Sequence, residues 1–130
     1  MLFLIAEDDL SSRIILQQLL SPYGEVHIAI NGQEAIDLFK MSLDSKNYYD
    51  AIFLDIMMPV MNGKEALKEI RDLEKKNKLE KETYIMMVTA LNTPKEVIES
   101  FYEGGCSSYT VKPVDRRKLI GKLREDKILR

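Results

Sequence analysis

Five short apolar segments alternate with longer amphipathic segments along this chain. The apolar segments lie at 2–6, 25–30, 51–54, 84–88 and 108–111. Each is too short for a buried helix and is bounded by polar or turn-forming residues, which predicts a β-strand. The runs at 2–6 and 51–54 contain no polar residue, so we expect these two strands to be buried on both faces. The segment at 25–30 alternates weakly, which is typical of an edge strand.

Helices are predicted between these strands because apolar residues recur there at helical spacing. The predicted helices cover about 10–20, 31–41, 62–74, 93–103 and a last segment that begins near residue 115. Asn31 with Glu34, and Asn62 with Glu65, form the capping pattern in which an acidic residue follows the N-cap by three positions. These caps support the starts of the second and third helices.

The first predicted helix carries apolar residues on two sides. Its core stripe consists of Ile15, Leu16, Leu19 and Leu20. Leu10 and Ile14 are one turn apart and fall on nearly the opposite side, at about 100° per residue. We therefore expect Leu10 and Ile14 to be exposed, close to the acidic residues that precede the helix.

Strands that alternate with helices predict an α/β fold of the doubly wound kind. In this fold a five-stranded parallel sheet carries helices on both faces. We expect the strand order 2-1-3-4-5 of a flavodoxin-like (βα)5 fold, in which ligands bind between the neighbouring first and third strands. A chain of 130 residues is long enough to bury most of its apolar surface, so we expect one domain over residues 1–130.

Side chains suited to catalysis or binding stand at the ends of four predicted strands. They are Glu7 and Asp8 after the first strand, Asp55 after the third, Thr89 after the fourth and Lys112 after the fifth. An isolated Asp after a strand is often only a turn residue. Here the carboxyl ends of the parallel strands share one edge, so the five side chains are expected to converge there, which favours a functional site.

Three carboxylates in one site require a cation or raised pKa values. Two carboxylates about 4 Å apart repel by about 4 kcal/mol at an effective dielectric constant of about 20. Oxygen ligands without His or Cys favour a hard ion, Mg²⁺ before Zn²⁺. A carboxylate beside such an ion, an ammonium group and a hydroxyl is suited to attack a phosphoryl group and to hold the acyl phosphate. The five side chains together therefore predict that Asp55 accepts a phosphoryl group.

Composition narrows the classes of protein further. The chain is 45% hydrophobic and 31% charged, which is ordinary for a globular domain. No apolar run approaches the roughly 20 residues of a membrane span, and the first residues lack the features of a signal peptide. Cys106 is the single cysteine and can form no internal disulfide. We therefore expect a cytoplasmic location without membrane attachment.

The net charge of −2 conceals a basic C-terminal end. Residues 111–130 contain eight Lys or Arg and three Asp or Glu, whereas residues 1–110 contain eleven and eighteen. A basic end is one feature of nucleic-acid binding, but no aromatic residues are interleaved with these charges. The pattern favours a solvated helix face, and we expect no direct binding to nucleic acid.

Four motifs resemble those of the response-regulator receiver domains of two-component signalling. The motifs IAEDD, LDIMMPVMNG, VTA and YTVKP occur in the family's order and spacing, from Leu2 to about Leu123. The resemblance implies that Asp55 is phosphorylated. It also implies a Mg²⁺ site whose ligands are Glu7, Asp8, Asp55 and the backbone carbonyl of Met57. Thr89 would be the switch hydroxyl, Lys112 the phosphate-binding lysine before a cis proline bond, and Tyr109 the switch aromatic.

The family pattern also implies the partners. The phosphoryl group would come from a phosphohistidine on a sensor histidine kinase or a histidine phosphotransfer protein, and a downstream protein would recognise the switched face. Such a domain is not an enzyme in the usual sense, although it assists its own phosphorylation. Met57 and Leu91 flank the route of the hydrolytic water in similar proteins, and both are apolar here, so we expect slow self-dephosphorylation. Leu10 and Ile14 are the expected docking residues for the donor.

This chain departs from the family pattern at two positions, and two other classes of protein with a related fold or chemistry were weighed against it. Glu7 replaces the commoner Asp, and Cys106 stands where a small Ala is usual, as a buried residue without a redox role. A flavodoxin-type carrier would need a Ser/Thr/Gly-rich phosphate loop where this chain has EDD. A phosphatase of the aspartyl-phosphate type would carry a second Asp at position 57. The sequence leaves two contexts open: a stand-alone regulator, and a receiver module excised from a hybrid histidine kinase. The excised module would pass the phosphoryl group to a histidine phosphotransfer protein.

Overall fold

The computed structural model describes residues 1–90, 95, 99 and 105–130 of the chain. Within these residues five parallel strands form one sheet: β1 Leu2–Ala6, β2 Glu25–Ala29, β3 Ala51–Asp55, β4 Tyr84–Thr89 and β5 Ser108–Val111. The strand order is β2-β1-β3-β4-β5, which confirms the predicted doubly wound topology. Every residue of β1 and β3 is buried, as their unbroken apolar runs predicted.

The described helices are α1 Leu10–Leu20, α2 Gly32–Ser45, α3 Gly63–Lys76 and α4 Arg116–Glu125. A 3₁₀ turn at Ser21–Tyr23 follows α1. Asn31 and Asn62 cap α2 and α3 as predicted, and Asn62 with Glu65 forms a complete capping box. Apart from residues 95 and 99, the helix predicted at 93–103 lies outside the described residues. The Lys112–Pro113 peptide bond is cis, as the family pattern implied.

Helix α2 continues past its predicted end at Met41. The polar residues after Met41 suggested a loop, but Ser42 is buried and its hydroxyl donates a hydrogen bond to the carbonyl of Phe39, at 2.6 Å. This bond allows a polar side chain to face the core within the helix. The helix ends at Ser45, where Lys46 adopts the left-handed conformation.

Two apolar cores lie on opposite faces of the sheet. Helices α2 and α3 cover one face, where Phe39, Leu67 and Ile70 are fully buried. Helices α1 and α4 cover the other face through Leu16, Leu20, Leu119, Ile120 and Leu123. The prediction that Ile15 belongs to the core of α1 was wrong, because its side chain is 43% exposed. Helix α1 rests on Leu16 and Leu20, and Ile15 lies about 100° away from Leu16 around the helix.

A buried ion pair ties α3 to the start of β4. Arg71 donates a hydrogen bond to Glu74 at 2.7 Å, and both side chains are at least 93% buried. Arg71 also bonds the carbonyls of Thr83 and Gly105, each at 2.9 Å, and the amide of Thr83 donates to Glu74 at 2.6 Å. The Arg71–Glu74 pair thus provides hydrogen-bond partners for backbone groups of Thr83, which precedes β4, and of Gly105, which precedes β5.

Gly63 sets the position of α3 against the end of β3. Its amide donates a hydrogen bond to the carbonyl of Ile56 at 3.0 Å. A Cβ atom at this position would overlap the backbone carbonyl oxygen of Asp55 and lie 2.8 Å from its carbonyl carbon. Only glycine therefore allows the helix to begin this close to Asp55.

Gly63→Ala is expected to destabilise the protein by about 1–3 kcal/mol, because the added methyl group meets backbone rather than a flexible side chain. Gly121→Ala is the matched control. Gly121 lies on the exposed side of α4, and a methyl group added there would meet no atom within 4 Å apart from its chain neighbours and the backbone of its own helix, so alanine should stabilise by about 0.5–1 kcal/mol through helix propensity. Urea denaturation of both variants measures the effect. An equal response to the two substitutions would contradict the close approach at Asp55.

Candidate functional site

Glu7, Asp8 and Asp55 come together at the carboxyl edge of the sheet. Strands β1 and β3 are neighbours, with Ala6 paired to Leu54, so the residues that follow them lie side by side. One oxygen from each of the three carboxylates lies within 4.8 Å of the other two. Glu7 and Asp55 are buried, whereas Asp8 is exposed. The cluster is therefore open to solvent on the side of Asp8 and closed on the side of Glu7.

Lys112 supplies the positive charge of this cluster. Its ammonium group donates a hydrogen bond to Oδ2 of Asp55 at 3.1 Å and lies 2.9 Å from Oε2 of Glu7. Burial opposes the charged form of the ammonium group, but its pairing with the two carboxylates outweighs this effect and raises the pKa of Lys112. Lys112 is thus a permanent cation between two buried carboxyl groups.

Glu7 is the least satisfied member of the cluster. Burial, together with the neighbouring carboxylate of Asp55, raises the pKa of Glu7 to about 7, against an ordinary value of 4.5. Its Oε1 accepts a hydrogen bond from the amide of Asp9 at 3.1 Å. Its Oε2 is buried and accepts no hydrogen bond, although the ammonium group of Lys112 lies 2.9 Å away as an ion-pair partner. A buried oxygen in this condition fits a site that a metal ion completes.

Asp9 belongs to the helix and not to the cluster. Its carboxylate accepts a hydrogen bond from the amide of Ser12 at 2.9 Å and so caps α1. This bond lowers the pKa of Asp9. The carboxylate cluster therefore comprises Glu7, Asp8 and Asp55, and Asp9 caps α1 instead.

The loop after β3 orients the carboxylate of Asp55. The amide of Met57 donates a hydrogen bond to Oδ1 of Asp55 at 3.2 Å, while the Met57 side chain is 63% exposed. The two oxygens of Asp55 are thus held by different partners, Oδ1 by this amide and Oδ2 by Lys112. The carbonyl of Met57, the fourth expected ligand, lies in the same loop. Leu91, the other residue named for the water route, lies outside the described residues.

Thr89 ends β4 and Tyr109 lies within β5. Thr89 is buried at the end of β4, one residue beyond Val88, which pairs with Asp55. The carbonyl of Thr89 accepts a hydrogen bond from the amide of Lys112 at 2.8 Å, which joins the ends of β4 and β5. Tyr109 pairs with Met87 and its side chain is 38% exposed.

Exposed apolar residues border the site. Leu10 is 60% exposed and Ile14 is 44% exposed, on the outer side of α1, as the helical spacing predicted. Ile15 extends this surface. Val60, which the sequence patterns did not single out, is 82% exposed in the loop after Asp55. No periodic signal could identify Val60, because it lies in an irregular loop.

In metal-free protein, the Glu7 carboxyl should make stability fall as pH rises from about 4.5 to about 7. The folded state keeps a proton on Glu7 in this range, whereas the unfolded chain has lost it. Glu7→Gln stays neutral, so its free energy of unfolding should exceed that of wild type by a margin that grows with pH. Urea denaturation in chelator at several pH values measures this margin, with Asp72→Asn on the exposed side of α3 as control. Parallel pH profiles for wild type and Glu7→Gln would contradict the burial of an ionisable Glu7.

Among the described residues, no helix combines the length and the hydropathy that crossing a bilayer requires.

Comparison with known proteins shows which family this chain resembles. The model of the response regulator receiver domain matches residues 3–124. The chain is 32% identical over 123 residues to the peroxide stress-activated histidine kinase mak2 of Schizosaccharomyces pombe, covering 94% of this chain and 5% of that protein. It is also 32% identical to the transcriptional regulatory protein SrrA of Staphylococcus aureus, covering 99% of this chain and 47% of that protein.

Solved structures give the same result. The receiver domain of Ssk1 from Saccharomyces cerevisiae, crystallised with the histidine phosphotransfer protein Ypd1, is 32% identical with a TM-score of 0.84, covering 96% of this chain and 87% of that one. The chemotaxis protein CheY4 of Vibrio cholerae is 29% identical with a TM-score of 0.78, covering 98% of both chains. The chain spans less than half of the mak2 and SrrA proteins, so the resemblance concerns one part of each. On sequence and structure together, this chain belongs to the response regulator receiver domain family.

Proposed function

We propose that residues 1–130 form one receiver domain in which Asp55 accepts a phosphoryl group from a phosphohistidine. The observation that carries this proposal is the position of Lys112, whose ammonium group lies 3.1 Å from Asp55 in a cluster with two further carboxylates. An ammonium group beside a nucleophilic carboxylate can pair with the phosphoryl oxygens as they approach. The donor would be a sensor histidine kinase or a histidine phosphotransfer protein.

In the proposed transfer, an oxygen of the Asp55 carboxylate attacks the phosphorus atom of the phosphohistidine. The new oxygen–phosphorus bond forms from a carboxylate lone pair, while the phosphorus–nitrogen bond breaks and its electron pair returns to the imidazole. The imidazole nitrogen then takes up a proton, so charge and atoms balance. Lys112 pairs with the transferred group, and the Thr89 hydroxyl would donate a hydrogen bond to it.

The residues present fit a magnesium ion. Glu7, Asp8, Asp55 and the carbonyl of Met57 would hold it, since all offer oxygen ligands and Oε2 of Glu7 is buried without a hydrogen bond. When bound, the ion supplies positive charge that offsets the charge of the phosphoryl oxygens. The exposed carboxylate of Asp8 leaves the site accessible to an ion from solvent.

Phosphorylation would switch the face to which β5 and α4 belong. The charge on Asp55 would change from −1 to about −1.5 to −2. The hydroxyl of Thr89 would move toward the new group, and Tyr109, now 38% exposed, would turn inward. A ligand or charge that favours one of two conformations shifts their populations without a new fold. A downstream protein would read the switched face.

A receiver module of a hybrid histidine kinase is the second candidate. The relative mak2 is a histidine kinase of which this chain matches 5%, and the Ssk1 neighbour is a receiver domain in complex with Ypd1. In this case the phosphoryl group on Asp55 would pass onward to a histidine phosphotransfer protein. Both candidates would act in the cytoplasm. Cys106 is buried, and this burial raises the pKa of its thiol to about 11, which supports a packing role for this residue.

Leu10 and Ile14 would form part of the docking surface for the phosphohistidine donor. They are exposed and one helical turn apart, and Leu10 begins α1 shortly after Glu7 and Asp8. An apolar pair at helical spacing suits packing against the helix of a partner. Their position places the partner beside the carboxylate that receives the phosphoryl group.

Incubation with a small acyl phosphate and Mg²⁺ should add the mass of one phosphoryl group to the wild-type protein and none to Asp55→Asn. Asp8→Asn should need much more Mg²⁺ for the same labelling, because it loses the exposed ligand. Intact mass spectrometry measures both effects, and Asp72→Asn serves as control. Labelling of Asp55→Asn at the wild-type level would place the acceptor elsewhere. Labelling of the wild type in chelator as in Mg²⁺ would argue against the metal site.

The double variant Leu10→Lys, Ile14→Glu should slow phosphoryl transfer from a phosphohistidine donor at least tenfold, the equivalent of about 1.4 kcal/mol of lost transition-state binding. Labelling by acyl phosphate should stay at the wild-type rate, since the small donor needs no docking surface. Met41→Glu, which changes a side chain 63% exposed on α2, is the control. Full transfer rates for the double variant would show that α1 is not part of the donor surface.

A further inference from the structure

The peptide group between Glu7 and Asp8 joins the two acidic residues that follow β1. It is planar, with the carbonyl of Glu7 at one end and the amide of Asp8 at the other, so its orientation affects the placement of both carboxylates. The amide of Glu7 donates a hydrogen bond to the carbonyl of Ala29 at 3.0 Å, which fixes the chain where it leaves β1. The orientation of the next peptide group then depends on the partner of its carbonyl.

Arg13 is the partner of that carbonyl. Its Nη1 donates a hydrogen bond to the carbonyl oxygen of Glu7 at 3.1 Å, and the side chain is half-buried. Side chains on a helix point back toward its N-terminus, so a long side chain near the start of α1 can reach the residues before it. The amide of Arg13 bonds the carbonyl of Asp9 at 2.9 Å, and Asp9 caps the helix. Arg13 therefore holds the Glu7–Asp8 peptide group from the well-formed first turn of α1.

Asp8 depends on this hydrogen bond more than Glu7 does. The carboxylate of Glu7 is buried and is held by the amide of Asp9 at 3.1 Å and by the ammonium group of Lys112 at 2.9 Å. Asp8 is exposed, so packing does not fix its side chain, and its position follows that of its backbone. A tilt of the Glu7–Asp8 peptide group would move the Asp8 carboxylate away from Glu7 and Asp55, with which it now clusters within 4.8 Å.

The charge of Arg13 and its hydrogen bond have opposite effects on a cation in this cluster. The guanidinium group is always protonated and repels a divalent ion, so loss of the charge alone would tighten metal binding. Loss of the hydrogen bond would loosen the ligands and weaken metal binding. Groups that orient metal ligands contribute about tenfold to a hundredfold in affinity, whereas solvent and salt screen the repulsion of a half-exposed charge. The hydrogen bond should therefore outweigh the charge.

We propose that Arg13 is a positioning residue for the magnesium site. It acts through the carbonyl of Glu7, by fixing the peptide group that places the carboxylates of Glu7 and Asp8. This proposal rests on the proposed receiver function and its magnesium site, and adds to that site a residue outside the ligand set. The opposite signs of the two effects make the direction of change in affinity decisive.

The test uses Arg13→Met and Arg13→Gln, which remove the charge and the guanidinium donor, and Arg13→Lys, which keeps a charged donor. Arg124→Met is the matched control, because Arg124 also bonds a backbone carbonyl, that of Arg130 at 3.0 Å, in the last turn of α4. Isothermal titration calorimetry with magnesium chloride gives the dissociation constant of each protein. The titration is made about one pH unit above the pKa of Glu7, so that its proton does not compete with the ion.

The dissociation constant for magnesium should rise about tenfold in Arg13→Met and Arg13→Gln. It should rise less than about threefold in Arg13→Lys and stay at the wild-type value in Arg124→Met. Labelling by acyl phosphate gives a second readout. Arg13→Met should need about tenfold more Mg²⁺ for its half-maximal rate and should reach the wild-type rate within about twofold at saturation, because Asp55 and Lys112 are unchanged.

An unchanged dissociation constant in both neutral variants would overturn the proposal. A lower one would overturn it as well, because Arg13 would then act only through its charge. An equal rise in Arg124→Met would show that the effect is not specific to the Glu7 carbonyl and would also overturn it. Magnesium binding by wild type without labelling of Asp55 would overturn the proposed transfer and leave the role of Arg13 to the calorimetry, whereas no magnesium binding by wild type would overturn the metal site and the role of Arg13 together.

Discussion

The contact of Lys112 with Glu7 and Asp55 is the interaction on which the site depends. Two buried carboxyl groups share one edge of the sheet, and each would be costly to ionise without an opposite charge nearby. One ammonium group, 2.9 Å and 3.1 Å from their oxygens, offsets part of that cost. It leaves Glu7 with a pKa of about 7 and one buried oxygen without a hydrogen bond.

The fold holds this contact by joining strands that are distant in sequence. Glu7 follows β1, Asp55 ends β3 and Lys112 follows β5, and the parallel register aligns their ends. Gly63 lets α3 approach the carbonyl of Asp55, and the hydrogen bond from Gly63 to Ile56 closes the loop between them. Within this loop Val60 has a positive φ of 68°, and the amide of Met61 donates a hydrogen bond to the carbonyl of Pro59 at 2.7 Å. The loop that orients the acceptor carboxylate therefore also contains a residue in an uncommon backbone conformation.

The sequence-based predictions agree best with the structure where contacts between residues close in sequence determine the conformation. The caps at Asn31 and Asn62 were predictable because a side chain and a nearby amide form them within four residues. The errors occurred where packing outweighed local preference. Ser42 continues α2 because its hydroxyl bonds within the helix, and Ile15 is exposed because α1 rests on the sheet through Leu16 and Leu20. Neither fact is encoded in the order of polar and apolar residues alone.

Periodicity and chain order were sufficient to predict the alternation of strands and helices, the topology, and the five residues that stand at the strand ends. How those residues are paired, and how charged they are, became known only from the folded arrangement. The pKa of Glu7 depends on its complete burial and on a neighbour from another strand. The positive φ of Val60 depends on hydrogen bonds that close a loop. Both are consequences of contacts between segments, which a linear pattern of residue types does not contain.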